Sequence, residues 1–173
     1  MDWNQVADEQ KKIMNQSFQN VGYSNNRENK KILLIDSNTT DLNSTNISFS
    51  VELQEPFLVD KLSDIYLDSF TTFDSVANTS ADNMGFLFSI SEFNIGTNSN
   101  NSLIYNRIFI PNDSTAVNKT TVHKGKKMNY ICSINPCELK NMNITISLLN
   151  GTDGIMADGD GRFIAELVFI SRD

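Results

Sequence analysis

An all-β sandwich is the fold class this 173-residue sequence predicts, with residues 31–173 as the domain and residues 1–30 as an N-terminal arm, extended or partly helical. Three observations predict it. After residue 31 apolar and polar residues alternate with a period of two, the mark of half-buried antiparallel strands. Clusters of Gly, Pro, Asn and Asp punctuate those runs at the spacing of short connections. No stretch after residue 31 carries helical periodicity. A chain of this length can bury about 70% of its unfolded surface, so the fold requires neither disulfide nor metal.

In the arm, Trp3, Val6, Ile13, Met14 and Phe18 form a loose helical stripe behind Asp2 as N-cap, and residues 20–29 read as irregular. Ile32–Ile35 is a short strand. Asn46–Gln54 alternates cleanly, with Ile47, Phe49, Val51 and Leu53 on one face. Seven similar runs follow: Asp64–Phe73, Gly85–Phe93, Ser102–Ile110, Thr115–His123, Met128–Ile134, Met142–Leu149 and Arg162–Ser171. The alternation slips near Ser69 and near Glu92, where bulges or bends are expected. Turns are expected at Glu55-Pro56, residues 96–101, Pro111–Asp113, Lys124–Lys126, Asn135-Pro136 and after Asn150. In the last run Phe163, Ala165, Leu167 and Phe169 face one way, and Ile164, Val168 and Ile170 make the other face nearly as apolar. Such a strand belongs in the middle of a sheet. That suits a single eight-stranded jelly roll, with the C-terminal strand expected between the first and fourth strands.

The side-chain inventory is poor in chemistry. His123 is the lone histidine, so Ser-His-Asp, Cys-His and two-histidine metal sites cannot be assembled within one chain. It reads as a solvent-facing strand end. Cys132 and Cys137, with four residues between them, make a poor zinc site and read as reduced thiols, Cys132 in a strand and Cys137 in the turn after it. Asp158-Gly159-Asp160-Gly161 starts like a calcium loop, but Arg162 stands where the third oxygen ligand belongs, so it reads as a turn. Lys124, Lys126 and Lys127 form the one basic cluster, read as a solvated hairpin turn at the same end of the sandwich as the acidic turn Asp153–Asp160. No catalytic, cofactor-binding or metal-ligating residue is assigned, no cofactor is expected, and an enzyme is disfavoured.

Composition agrees. A net charge of −7 argues against a general polyanion binder, so no direct nucleic-acid contact is expected. The start, Met1-Asp2-Trp3, lacks the basic and apolar parts of a signal peptide, and the most apolar run, residues 163–170, is too short to span a bilayer. Synthesis in the cytosol is expected, with the ten Asn-x-Ser/Thr sequons unused. The 23 Asn, 18 Ser and 12 Thr suit wet, hydrogen-bonded contacts between proteins.

Lys31-Ile32-Leu33-Leu34-Ile35-Asp36-Ser37, the Phe-x-Val-x-Leu run in Asn46–Leu53, and Val59-Asp60-Lys61-Leu62-Ser63-Asp64-Ile65-Tyr66-Leu67 carry a likeness to known proteins. Residues 31–73 resemble the small jelly-roll capsid proteins of large icosahedral double-stranded DNA viruses of the nucleocytoplasmic type. They look most like the single jelly-roll penton proteins, with minor capsid proteins second. The resemblance implies a virion protein, assembled in host cytoplasm, that forms a homopentamer at each five-fold vertex. Its implied neighbours are major and minor capsid proteins, met through the arm 1–30 and the sandwich sides. Two alternatives are a minor capsid or cement protein off the five-fold axis, and a jelly-roll receptor- or glycan-binding module.

Overall fold

Nine strands in two sheets organise the described residues of the computed structural model, which are 30–37, 45, 47–116, 120–125, 127–157 and 161–172. They are β1 (Lys30–Asp36), β2 (Ser48–Val59), β3 (Ser63–Phe73), β4 (Gly85–Ile90), β5 (Ile108–Pro111), β6 (Thr121–Val122), β7 (Asn129–Ile134), β8 (Cys137–Leu148) and β9 (Arg162–Ser171). One sheet runs β1-β9-β3-β6, and β7 also pairs with β3; the other runs β2-β8-β4-β5. Because β9 occupies one side of β3 from Ser63 to Phe73, β7 shares the opposite side with β6. The β2/β8, β8/β4, β4/β5, β9/β3, β3/β6 and β3/β7 ladders are all antiparallel.

The period-two reading holds where one face meets the core. β8 turns Met142, Ile144, Ile146 and Leu148 inward, and β9 turns Phe163, Ala165, Leu167 and Phe169 inward. The slip expected near Ser69 is a register shift between Leu67 and Ser69 against β9. A second shift, between Ile65 and Tyr66 against β7, lets consecutive Ile131 and Cys132 both be buried.

Several expected elements differ, each for a physical reason. Glu55-Pro56 is no turn: β2 runs on through it, in a stretch where the register against β8 slips between Glu52 and Phe57. On an edge strand with slipped pairing, the missing Pro56 N–H forfeits no ladder bond. Of the expected Ser102–Ile110 strand only the last three residues form, within β5. Upstream, the Asn101 side chain accepts from the Leu103 amide at 2.9 Å and its carbonyl accepts from Ile104 and Tyr105, while Asn106 takes φ 57°. An Asn that can bond its own downstream backbone competes well with a ladder. The break near Glu92 is the end of β4, where the Phe93 amide donates to the Ile90 carbonyl. Of the expected Thr115–His123 strand only Thr121–Val122 pairs, and residues 117–119 lie outside the described set. The last strand is central as expected, but it lies between the first and third strands, not the first and fourth. Of the expected arm 1–30, residues 1–29 lie outside the described residues, and Lys30 opens β1.

The core lies between the sheets and is aromatic at its centre. Phe70 of β3 stacks on Phe163 of β9 with centroids 5.2 Å apart, and Phe88 of the opposite sheet meets both at 6.1 Å. Phe49 of β2 closes on Phe163 at 5.7 Å, and Phe57 on Phe169 at 4.8 Å. Outside the core, Gly85 makes room for the exposed ring of Phe109, since a Cβ there would stand 2.3 Å from it. Phe163→Ala, which empties the middle of this cluster, is expected to cost about 3–5 kcal/mol in urea unfolding. Phe73→Ala, on the outward face of the same sheet, is expected to stay within about 0.5 kcal/mol of the parent.

Candidate functional site

The residues singled out in the sequence are dispersed over the sandwich. His123 is the largest departure. It is buried, 4% exposed, because the chain after β6 stays against β3: the His123 amide donates to the Phe70 carbonyl, which turns the imidazole inward between Phe70 and Phe86. Nδ1 lies 3.2 Å from the Pro111 carbonyl oxygen, which can only accept, and 3.4 Å from the Asp113 amide, which can only donate; the shorter contact favours the proton on Nδ1. Nε2 then accepts from the Thr72 hydroxyl at 2.8 Å, and Thr72 in turn accepts from Ser75 at 2.8 Å. Burial pushes the imidazole below its ordinary pKa, opposed by the Pro111 carbonyl and the Asp113 charge. The ring is a neutral hydrogen-bonded plug between β3, β4 and the end of β5.

Asn112 is a second buried plug, 2% exposed. Its side-chain amide donates to the Val76 and Asn83 carbonyls at 3.0 and 2.8 Å, and its oxygen accepts from the Ser114 amide at 3.0 Å. Ser114 is equally buried, so the Asn112 sequon is closed to any modifying enzyme in the folded chain. No described buried side-chain nitrogen or oxygen lacks a hydrogen-bond partner.

Both cysteines are free thiols. Cys132 is in β7, but Cys137 opens β8 instead of sitting in the turn, so the connection between them passes from one sheet to the other. Burial, with the Asp64 charge adding, pushes the Cys132 thiol up to about 11, which leaves it protonated at neutral pH. Among the described residues no three of His, Cys, Asp and Glu converge as a metal site, and no helix is long and apolar enough to cross a membrane. Asp158 and Asp160 lie outside the described residues.

The lysine segment is not a hairpin turn, because β6 and β7 both pair antiparallel with β3 and so run the same way. It interrupts an edge: Val122 pairs with Thr71 of β3, Asn129 resumes opposite Leu67, and Lys124, Gly125 and Lys127 stand exposed between them. The Lys124 amide donates to the Asp113 carboxylate at 2.9 Å. The described part of the acidic turn packs just beyond the end of β3, where the Ala157 amide donates to the Asp74 carbonyl. Lys126 is outside the described residues.

Sequence reasoning missed a polar cluster on the outer face of the five-stranded sheet. Arg172 bonds both oxygens of Asp64, Ser133 donates to Asp64 at 2.5 Å, and the Tyr130 hydroxyl meets Ser133 at 2.9 Å. The Arg172 hydrogen bonds hold the Asp64 carboxyl below its ordinary range. Tyr130, 53% exposed, packs edge-on against Tyr66 and borders a cleft of about 290 Å³ with Asn94, Thr97 and Ser133. The one signal was Asp64 and Tyr66 alternating outward on β3.

No protein-family model matches this chain, and no curated protein matches it.

The His123 plug sets a pH dependence. The unfolded imidazole takes its proton near 6.5, while the folded one resists until a lower pH, so the folded chain binds fewer protons in between. Stability is therefore expected to be level above 6.5, to fall as pH drops through the window below it, and to level off under the folded pKa. Urea unfolding between about pH 8 and 5 checks this. His123→Gln should flatten that part of the profile, and an unchanged slope would refute the assignment.

Proposed function

We propose that this chain is a structural capsid protein: a single jelly roll that forms a pentamer at the five-fold vertices of an icosahedral double-stranded DNA virus. The observation that supports it most is strand order. The order β1-β9-β3-β6 opposed to β2-β8-β4-β5 is compatible with two interleaved Greek keys, with each sequence-adjacent pair from β1/β2 to β3/β4 split between the sheets. Counting β6 and β7 as one interrupted strand, since both lie on the same side of β3, gives eight.

The chemistry suits such a role. The one histidine is used in packing, the one strongly shifted thiol is held protonated, and each carboxylate–arginine pair ties neighbouring segments: Arg162 to Asp36, Arg172 to Asp64. Residues 1–30 are assigned to contact with neighbouring major and minor shell proteins. A minor capsid or cement protein off the five-fold axis shares all of these features. A receptor- or glycan-binding module is the second reading, favoured by the cleft beside exposed Tyr130 with its Asn, Thr and Ser rim.

Mass in solution separates them. The full chain is expected to reach five copies, by native mass spectrometry or light scattering, and a stable trimer would count for the binding module instead. In particles, removal of residues 1–30 is expected to abolish incorporation. Normal incorporation of the truncated chain would take the anchoring role away from that segment.

A further inference from the structure

The two flanks of the sandwich each carry one irregular stretch, and the two stretches are opposite in charge. On the first, β1 and β2 lie together: Lys31 Nζ reaches from β1 to the Leu58 carbonyl oxygen at 2.6 Å and to Asp60 at 2.5 Å. On the second, β5 faces the β6–β7 edge, as the Pro111 contact with His123 shows. Each flank exposes large apolar side chains. Ile32, Leu34 and Leu58 are half or more exposed on the first; Val122 and Tyr130 are so on the second, with Phe109 at 38%.

Each flank also has one interruption in its ladder, and the interruption carries the charge. On the first, the register slip in β2 exposes Glu52, Gln54, Glu55 and Pro56. On the second, the gap between β6 and β7 exposes Lys124 and Lys127. No ion pair among the described residues holds any of these four charged side chains. Acids stand at the interruption of one flank and lysines at that of the other, each beside apolar area; outside the interruptions the signs mix, with Lys30 and Lys31 on β1 and Asp113 against the Lys124 amide.

We propose that these flanks are the two halves of one head-to-tail interface, the β5–β7 flank of one copy seating against the β1–β2 flank of a second copy of this chain. The inference deepens the capsid-ring reading and rests on it. At a net charge of −7 two copies repel at random approach, and the juxtaposition that brings Lys124 and Lys127 over Glu52 and Glu55 relieves that repulsion locally. A contact joining two different surfaces is the heterologous kind that closes rings. The size fits: twelve residues of β2 at about 3.3 Å each, across two sheets about 10 Å apart with their side chains, give about 800 Å² per partner. Charges and a proline on strand edges also serve to prevent aggregation, a role that demands no pairing of opposite signs between flanks.

Sedimentation and native mass spectrometry of the full chain test this with two charge-reversed variants, Lys124→Glu/Lys127→Glu and Glu52→Lys/Glu55→Lys. All four positions are exposed, and an unchanged thermal melt confirms folding. Each variant alone is expected to self-associate about a hundredfold more weakly, since like charges then face each other. Mixing the two variants is expected to restore association between them. Self-association indifferent to both reversals would overturn the flank assignment while leaving a pentameric vertex standing. A closed ring of another size that obeys the charge rules would keep the flanks and overturn the five-fold reading. Three results count against the interface itself: wild type monomeric up to its solubility limit, reversals that change only amorphous aggregation, and a mixture that fails to recover.

Discussion

The packing of Phe70, Phe163 and Phe88 is the contact on which the rest of the molecule depends. Phe70 and Phe163 come from adjacent strands of one sheet, and Phe88 comes from the other. Without that seam each sheet would keep its ladder but lose its partner, because antiparallel sheets with one solvated face are stable only when the other face is covered. The seam also fixes which strands face each other across the core. Phe49 meeting Phe163 sets β2 over β9, and Phe86 meeting Phe70 sets β4 over β3. From there the two flanks follow, since β1 and β2 are left at one side and β5, β6 and β7 at the other.

Near the ends of the seam the core meets backbone that no ladder satisfies, and buried polar side chains close the gap. His123 and Asn112 do this from neighbouring positions. The first bonds Thr72 and the Pro111 carbonyl, the second bonds the Val76 and Asn83 carbonyls. Leaving such carbonyls bare would cost about 1–3 kcal/mol each. The asparagines of this chain are therefore partly structural. Asn101 shapes the turn before β5, and Asn150 accepts from the Thr152 and Asp153 amides in the turn after β8.

What was legible in the sequence was whatever period two could report. β8 and β9, with one face wholly apolar, stood out, and so did the Ser69 slip, because a bulge leaves a phase error in the pattern. Pro56 misled because proline is a turn signal only if the strand needs its N–H, and edge position is a tertiary property. The run Ser102–Ile110 misled because alternation alone cannot weigh an Asn bonding its own backbone. His123 was read as a solvent-facing strand end, yet a residue's own inward or outward sense depends on which partner strand its amide finds. The Asp64–Arg172 pair joins positions 108 apart, and no local pattern carries that. The charge contrast of the flanks was equally hidden: Glu52 and Lys124 become comparable only once their strands are known to be opposite edges.

An open sandwich has four strand edges, and each here is unsuited to gaining another strand. β2 is bent by its register slip and carries Pro56; β5 is four residues long and ends in Pro111. β6 and β7 are two short pieces separated by exposed lysines, and β1 bears Lys30 and Lys31. These are the devices that block edge-to-edge ladder growth. Association through backbone hydrogen bonds is thereby disfavoured on both flanks. What the flanks retain is side chains: apolar area, with acids at one irregularity and lysines at the other. A contact made of side chains keeps a definite register, because charge and shape must both match, whereas a ladder can slip by two residues and still pair. The same interruptions that weaken the sheets as templates thus give them distinguishable sides, and distinguishable sides are what a closed head-to-tail arrangement requires.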